Sequence, residues 1–394
     1  MDELFSPAQG KEPWAEEKFF PLRDAFLRLF EQGEEIGAGL CVYVKGEKVL
    51  DYWAGYADLL QNSLWQHDTV VSTFSASKAM VAVCLLHLID RGFAELDEPV
   101  VTYWPEFSHK EGGLKSNVTI RDVLQHRSGL PVLSANRPGD VYHWDRMIGA
   151  IEKSDLIWPT DTETAYHAIT FGHIVGEIIR RSSGMMPSEY FDKYFAKPYD
   201  ADYALKLLPS MKDRVAVCTG YGRGVQIFLS IAARVMPWLG GWKRLYFKPC
   251  DGNYHPNSDA WRECEAPAIS GFGTARSLAK IYSVIGQQEP TLFSPKLMKE
   301  LMSVPKTQLD QATNSFVRIG LGVFFTDDNL APFGPTRNSF GHAGMGGSLG
   351  FVDPENQVAF SFVHNKLHQK SKQDPSLMGN SSKKLIDIAY SCLR

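Results

Sequence analysis

The chain has no C-x-x-C pair, no H-E-x-x-H and no apolar run long and clean enough to cross a membrane convincingly. Each absence removes a class of function. The six cysteines (Cys41, Cys84, Cys218, Cys250, Cys264, Cys392) are scattered over 394 residues. That pattern predicts buried free thiols in a reducing compartment and no disulfide framework. The eleven histidines show no metal-ligand spacing, so neither a metal nor another cofactor is expected. Basic residues number 41 against 45 acidic ones, a net charge of −4. No basic field is present to hold a polyphosphate, so nucleic acid is not an expected partner. Met1-Asp2-Glu3-Leu4-Phe5-Ser6-Pro7 lacks the basic and apolar regions of a secretory signal, and the expected location is cytoplasmic. The most apolar long stretch, Val225 to Trp242, is interrupted by Gln226, Arg234, Pro237 and two glycines. It reads as an amphipathic helix or a substrate-covering flap.

What is present suits a folded enzyme-sized chain. Hydrophobic residues make up 44% and charged residues 22%, close to globular averages, so a large core can form. Leu22, Phe26, Leu27 and Phe30 have helical spacing within Phe20 to Gln32. Gly37 to Val44 and Val49 to Ala54 read as a hairpin joined by Lys45-Gly46-Glu47-Lys48. After a short extended run, Ala79, Met80, Val83, Leu86 and Leu88 predict a buried helix ending at Arg91-Gly92. Ile120 to Gln125, Met147 to Lys153 and Thr170 to Arg181 look helical. Thr274 to Ile285 is a further helix with a threonine cap. Strands return at Gly320 to Phe325, Ser339 to Gly344, Leu349 to Val352 and Val358 to Val363, and Asn380 to Leu393 closes as a helix with a polar cap. The expected class is α+β: one antiparallel sheet from both chain ends, flanked by helices, plus a mostly helical region. The expected domains are 1–98 with 265–394, and 99–264, with a site at their interface.

The chemistry centres on Ser75-Ala76-Ser77-Lys78. On a helix, positions three apart share a face. A serine hydroxyl needs a base, and a lysine serves only if burial or a helix dipole lowers its pKa. Spacing alone does not single this stretch out, because Ser-x-x-Lys also begins at Ser277, Ser303 and Ser381. Two other features join it. Tyr166, in Glu163-Thr164-Ala165-Tyr166-His167-Ala168, could act as a phenolate-like proton shuttle. Ser339-Phe340-Gly341-His342-Ala343-Gly344-Met345-Gly346-Gly347 is a glycine-flanked strand edge whose N–H could face a carbonyl oxygen. Gly346-Gly347-Ser348-Leu349-Gly350 fits G-x-S-x-G, but that elbow requires a strand–turn–helix. Here a strand and a turn follow, so Ser348 is a decoy. Trp53, Tyr56, Trp65, Trp238 and Trp242 could line an acyl pocket, pack in the core or form a lid.

These features together resemble the serine β-lactamase and penicillin-binding-protein superfamily. The nearer resemblance is to its class C-like branch and to the family VIII carboxylesterases. Leu124-Gln125-His126-Arg127-Ser128-Gly129-Leu130-Pro131 looks like that branch's L-x-H-x-S-G-L-P loop. Phe93-Ala94-Glu95-Leu96-Asp97-Glu98-Pro99-Val100 looks like its G-x-L-x-L-D-x-P-V segment. Tyr166-His167-Ala168 stands at its tyrosine motif, and His342-Ala343-Gly344 at its Lys-Thr-Gly or His-x-Gly strand. The resemblance runs from Leu40 to Val363. It implies that Ser75 is acylated, that Lys78 and Tyr166 form the general base pair, and that the backbone N–H groups of Ser75 and Met345 form an oxyanion hole. His342 and Gly344 would line the site, His342 hydrogen-bonded to Tyr166. Two departures matter. Ala168 replaces an asparagine, and His342 replaces a lysine, of the β-lactamases. Both lost groups help hold a β-lactam. The expected substrate is therefore a small carboxylic ester with a short acyl chain. The alternatives are an acyltransferase, an amidase or peptidase, a weak β-lactamase, and a catalytically silent binding protein.

Overall fold

A computed structural model describes residues 11–108, 113–220, 241–251, 253–287, 291–328, 330–368 and 378–394. Its strands are β1 (Trp14–Ala15), β2 (Gly37–Val44), β3 (Glu47–Asp58), β4 (Ser63–Leu64), β5 (Val71–Phe74), β6 (Tyr203–Ala204), β7 (Gly271–Gly273), β8 (Gln308–Asp310), β9 (Ser315–Val317), β10 (Phe324–Phe325), β11 (Phe340–Ala343), β12 (Leu349–Asp353) and β13 (Val358–His364). The large sheet runs β1-β3-β2-β13-β12-β11-β10, with β4 paired to β3. Every pairing in it is antiparallel. The N-terminal hairpin and the C-terminal meander meet where β2 pairs with β13, Val42 opposite Phe360 and Cys41 opposite Ser361.

Burial on both faces explains why these central strands read as apolar runs instead of alternating ones. Successive side chains of β2 point to opposite faces. Leu40 and Val42 join a core with Phe26, Leu29, Phe360, Phe362, Leu385 and Ile386, under the helices Phe20–Glu31 and Gly379–Leu393. Cys41 and Tyr43 join the core on the other face, with Leu278, Ala279 and Ile281 of the Ala275–Gly286 helix. That second core continues without a break into the helical region. All six cysteines are free and buried. Among the described residues, no helix is long and apolar enough to cross a membrane.

One helix fixes the position of the candidate site. Ser77–Asp90 is apolar on every side, as a helix enclosed by protein must be. Met80, Val81, Val83, Leu85, Leu86 and Leu88 are all at most 2% exposed, and each large apolar side chain so buried contributes roughly 1.5–3 kcal/mol. The helix packs against Thr170–Ser183 and below β11. Gly92 takes the left-handed conformation at its C-terminal end, as the sequence implies. At its other end a small sheet, β5-β7-β6, delivers the chain into it.

Some expectations change. The hairpin turn shrinks to Lys45-Gly46, because β3 begins at Glu47. Of the strand expected from Gly320 to Phe325 only β10 forms. Gly322 adopts φ 78° and donates its N–H to the Leu124 carbonyl, which makes a turn there. The last helix starts at Gly379 after Met378 and has no side-chain cap, where a polar cap was expected. The apolar stretch from Val225 to Trp242 lies outside the described residues except for its last two, and Trp238 lies outside them too.

Candidate active site

Strand β5 enters the Ser77–Asp90 helix through Phe74-Ser75-Ala76. Phe74 holds φ 48°, a left-handed conformation that costs a bulky residue about 1–3 kcal/mol. The surroundings enforce it. The pairing of β5 with β7 shifts register between Ser72 and Phe74. The Ala76 N–H donates to the Thr73 carbonyl at 3.1 Å, and the Phe74 ring is buried against Trp261. The result is a sharp turn that leaves Ser75 half-buried while its neighbours on both sides are enclosed.

Lys78 lies one turn into the helix and is completely buried. Its Nζ is 3.1 Å from Ser75 Oγ, 2.8 Å from the Ala168 carbonyl oxygen and 2.9 Å from the Ala268 carbonyl oxygen. Among the described residues no carboxylate pairs with it. Burial alone therefore holds the amine's pKa well below its ordinary value. A neutral amine has two N–H donors and one lone pair. In that form two donors would match the two carbonyls and leave the lone pair for Ser75 Oγ.

Tyr166 closes the other side. Its phenol lies near enough to Ser75 for that side chain to act on its pKa. Lys78 Nζ lies 4.8 Å from the centre of its ring. Burial raises the phenol's pKa more than the Ser75 side chain lowers it. A raised pKa favours the neutral phenol at rest. Its backbone is anchored by Asp310, whose carboxylate accepts the Tyr166 N–H at 2.7 Å. The Tyr246 hydroxyl donates to the Tyr166 carbonyl. Behind the tyrosine, His126 Nδ1 accepts the His167 N–H at 3.0 Å, and His126 stacks on Phe171. His167 Nδ1 faces the Ala165 carbonyl, and its Nε2 is 2.7 Å from Ser128 Oγ. Burial lowers the pKa of both imidazoles, to about 4 for His167.

The end of β11 supplies the third wall. A Cβ on Gly344 would sit 2.1 Å from the Thr73 carbonyl oxygen. Only glycine lets this strand edge come so close to β5. Met345, next in the chain, is 39% exposed. Among the described residues, neither the Ser75 N–H nor the Met345 N–H donates to a backbone carbonyl. His342 is buried with its ring 6.0 Å from that of Tyr166. The hydrogen bond expected between the two is not formed. His342 Nδ1 instead donates to the Ala343 carbonyl at 2.8 Å, and Nε2 has no partner among the described residues. Burial and then the nearby Lys78 lower its pKa to about 3.

The structure thus brings Ser75, Lys78, Tyr166, His342 and Gly344 together, and sets other candidates aside. Ser348 is 1% exposed, and its Oγ accepts the His364 N–H at 3.2 Å. It leads into β12, not into a helix. Ser277 bonds Thr274 at a helix cap, while Lys280 lies over the Tyr43 ring. Trp53 and Trp65 belong to the core. Trp242 is half-buried beside Trp158 and Tyr246. Sequence reasoning missed the Ala268 carbonyl, Asp310 and Tyr246. A backbone carbonyl leaves no side-chain signature, and the other two lie 144 and 80 residues from Tyr166.

Known proteins share this fold. The family described as Beta-lactamase matches residues 22–380. The curated protein "Esterase/beta-lactamase LipL" of Mycobacterium tuberculosis is 31% identical over 366 residues, covering 90% of this chain and 82% of its own. The crystal structure of a family VIII carboxylesterase superposes with a TM-score of 0.82 at 28% identity, covering 97% of this chain and all of that one. A penicillin-binding-protein homologue from Caulobacter crescentus superposes with a TM-score of 0.81 at 26% identity, with the same coverage.

Proposed function

From the premise that the chain belongs to the beta-lactamase family and is a serine hydrolase of that fold, we propose that it is a carboxylesterase working through an acyl-enzyme on Ser75. One observation carries this reading: a wholly buried lysine with no counter-ion among the described residues, 3.1 Å from a half-exposed serine hydroxyl. Neutral Lys78 takes the Ser75 proton as Oγ attacks the ester carbonyl. The carbonyl oxygen becomes an oxyanion, held by the N–H groups of Ser75 and Met345. The proton then passes from Lys78 by way of Tyr166 to the departing alkoxide, which leaves as the alcohol. A neutral phenol suits this step, because it can donate as it receives. Water attacks the acyl-enzyme in the second half, giving up its proton to the same pair. The carboxylic acid leaves and Ser75 recovers its hydrogen.

The substrate side follows from what the site lacks. Position 168 contributes only a carbonyl, and that is already taken by Lys78. His342 is buried and neutral at ordinary pH, so it offers no cation to a substrate carboxylate. Both features support a small uncharged ester over a β-lactam. The family VIII carboxylesterase likeness supports the same choice.

The test is hydrolysis of p-nitrophenyl butyrate beside a chromogenic cephalosporin. The native chain should turn over the ester much faster than the cephalosporin. Ser75→Ala should lose roughly 10⁴–10⁶-fold in ester turnover. Full ester activity in Ser75→Ala refutes the assignment, and a faster cephalosporin reaction refutes the ester preference.

A further inference from the structure

Glu35, His364 and His368 meet behind the turn that follows Met345. One donor atom from each lies within 4.8 Å of the others. Glu35 Oε1 is 2.6 Å from His368 Nε2, and Glu35 Oε2 is 3.0 Å from His364 Nδ1. The second contact is close without being aligned: Glu35 Oε2 and both His364 ring nitrogens lack a hydrogen-bond partner among the described residues. The Glu35 and His364 side chains are fully buried. Buried polar atoms left unpaired are costly, and a shared cation would satisfy those that face one another.

We propose that Glu35, His364 and His368 bind one divalent transition-metal ion, with Zn²⁺ as the fitting occupant. Two imidazoles and a carboxylate suit zinc, whereas magnesium and calcium favour all-oxygen sets. Three protein ligands leave a fourth position for water. The His368 side chain is 26% exposed and gives the ion a way in. Zinc–ligand distances of about 2.0–2.2 Å set tetrahedral ligand atoms about 3.4 Å apart, so the Glu35–histidine contacts of 2.6 and 3.0 Å must open slightly while the widest separation, up to 4.8 Å, closes.

The ion's role would be structural. The His368 N–H donates to the Gly346 carbonyl at 3.0 Å. Gly347, at φ 118°, lies so close to His364 that a Cβ would meet Nε2 at 2.9 Å. Tying His364 and His368 to Glu35 therefore braces the turn that positions Met345. No step of ester cleavage passes through the ion, and the site stands or falls apart from the esterase reading.

The experiment strips the full chain with EDTA, removes the chelator and titrates Zn²⁺ against a chromophoric competitor. One Zn²⁺ per chain should bind, and the unfolding midpoint should rise by roughly 3 °C at a hundredfold excess over Kd. His368→Ala, at the part-exposed ligand, should weaken binding by at least about 10²-fold and lose the shift. Co²⁺ in place of Zn²⁺ provides a second readout that needs no variant: its spectrum should show nitrogen and oxygen ligation without a thiolate charge-transfer band. Absence of stoichiometric Zn²⁺ binding overturns the proposal. So does equal affinity in a folded His368→Ala, or a thiolate band.

Discussion

Two serines of this chain lie beside glycine-rich or strained turns, and both match a nucleophile pattern. Ser75 follows a strand and opens a helix; Ser348 follows Gly346-Gly347 and opens a strand. The helix gives Ser75 a neighbour one turn on, and that neighbour is a lysine whose proton is destabilised by burial. The strand sends successive side chains to opposite faces, so Ser348 has no equivalent partner. Its hydroxyl is spent on the backbone N–H of His364. What separates the two is a base within reach and an open side. A motif therefore carries chemistry only when its element presents the right residue on the same face.

The largest effect beyond loss of Ser75 itself is expected at Tyr166. Tyr166→Phe keeps the ring contacts with His126, Phe324 and His342 and removes only the hydroxyl. Ester turnover should fall on the order of 10²–10⁴-fold, read as kcat with p-nitrophenyl butyrate. A silent Tyr166→Phe would leave Ser75 and Lys78 working alone and remove the acid from the scheme.

The pH dependence sharpens the same contrast. An unperturbed lysine near its ordinary value of 10.5 would make the rate climb about tenfold per unit from pH 8 to 10. With Lys78 lowered well below that value, kcat/KM should be flat across the range and fall only on the acid side. A tenfold-per-unit climb would sink the neutral-base reading. Acid also acts on the fold. His167 and His342 are lowered to about 4 and about 3. Below their unfolded value of about 6.5, the unfolded chain binds more protons than the native one. Stability therefore falls as pH drops from about 6.5 towards 3. Circular dichroism at each pH separates loss of the base from loss of the fold.

Much of this was legible in the residues. The order of motifs pointed to Ser75, Lys78 and Tyr166 as neighbours, and the fold does bring them together. The central strands were readable because burial on both faces leaves continuous apolar runs. Other parts leave no such trace. The Ala268 carbonyl that holds Lys78 could belong to any residue. Gly271-Phe272-Gly273 offers no strand signal, since two of its three residues are glycine, yet it pairs with β5 and β6. Glu35 and His368 lie 333 residues apart, and no spacing rule links them. The strand expected from Gly320 failed because glycines among apolar residues suit a turn as well as a strand.

The smallest effect is expected at Ser348, where the comparison is most directly broken. Ser348→Ala deletes the acceptor of the His364 N–H at 3.2 Å and leaves the backbone carbonyl of residue 348 bonded to Gly344. A buried donor that loses its partner costs about 1–3 kcal/mol. Thermal unfolding should register that loss. The ester rate should stay within about threefold of the native chain, because no hydroxyl at this position reaches the substrate in the proposed scheme. If Ser348→Ala abolished turnover while unfolding at nearly the native temperature, the nucleophile would have to move to the G-x-S-x-G turn. Lys78 would then have a structural role only.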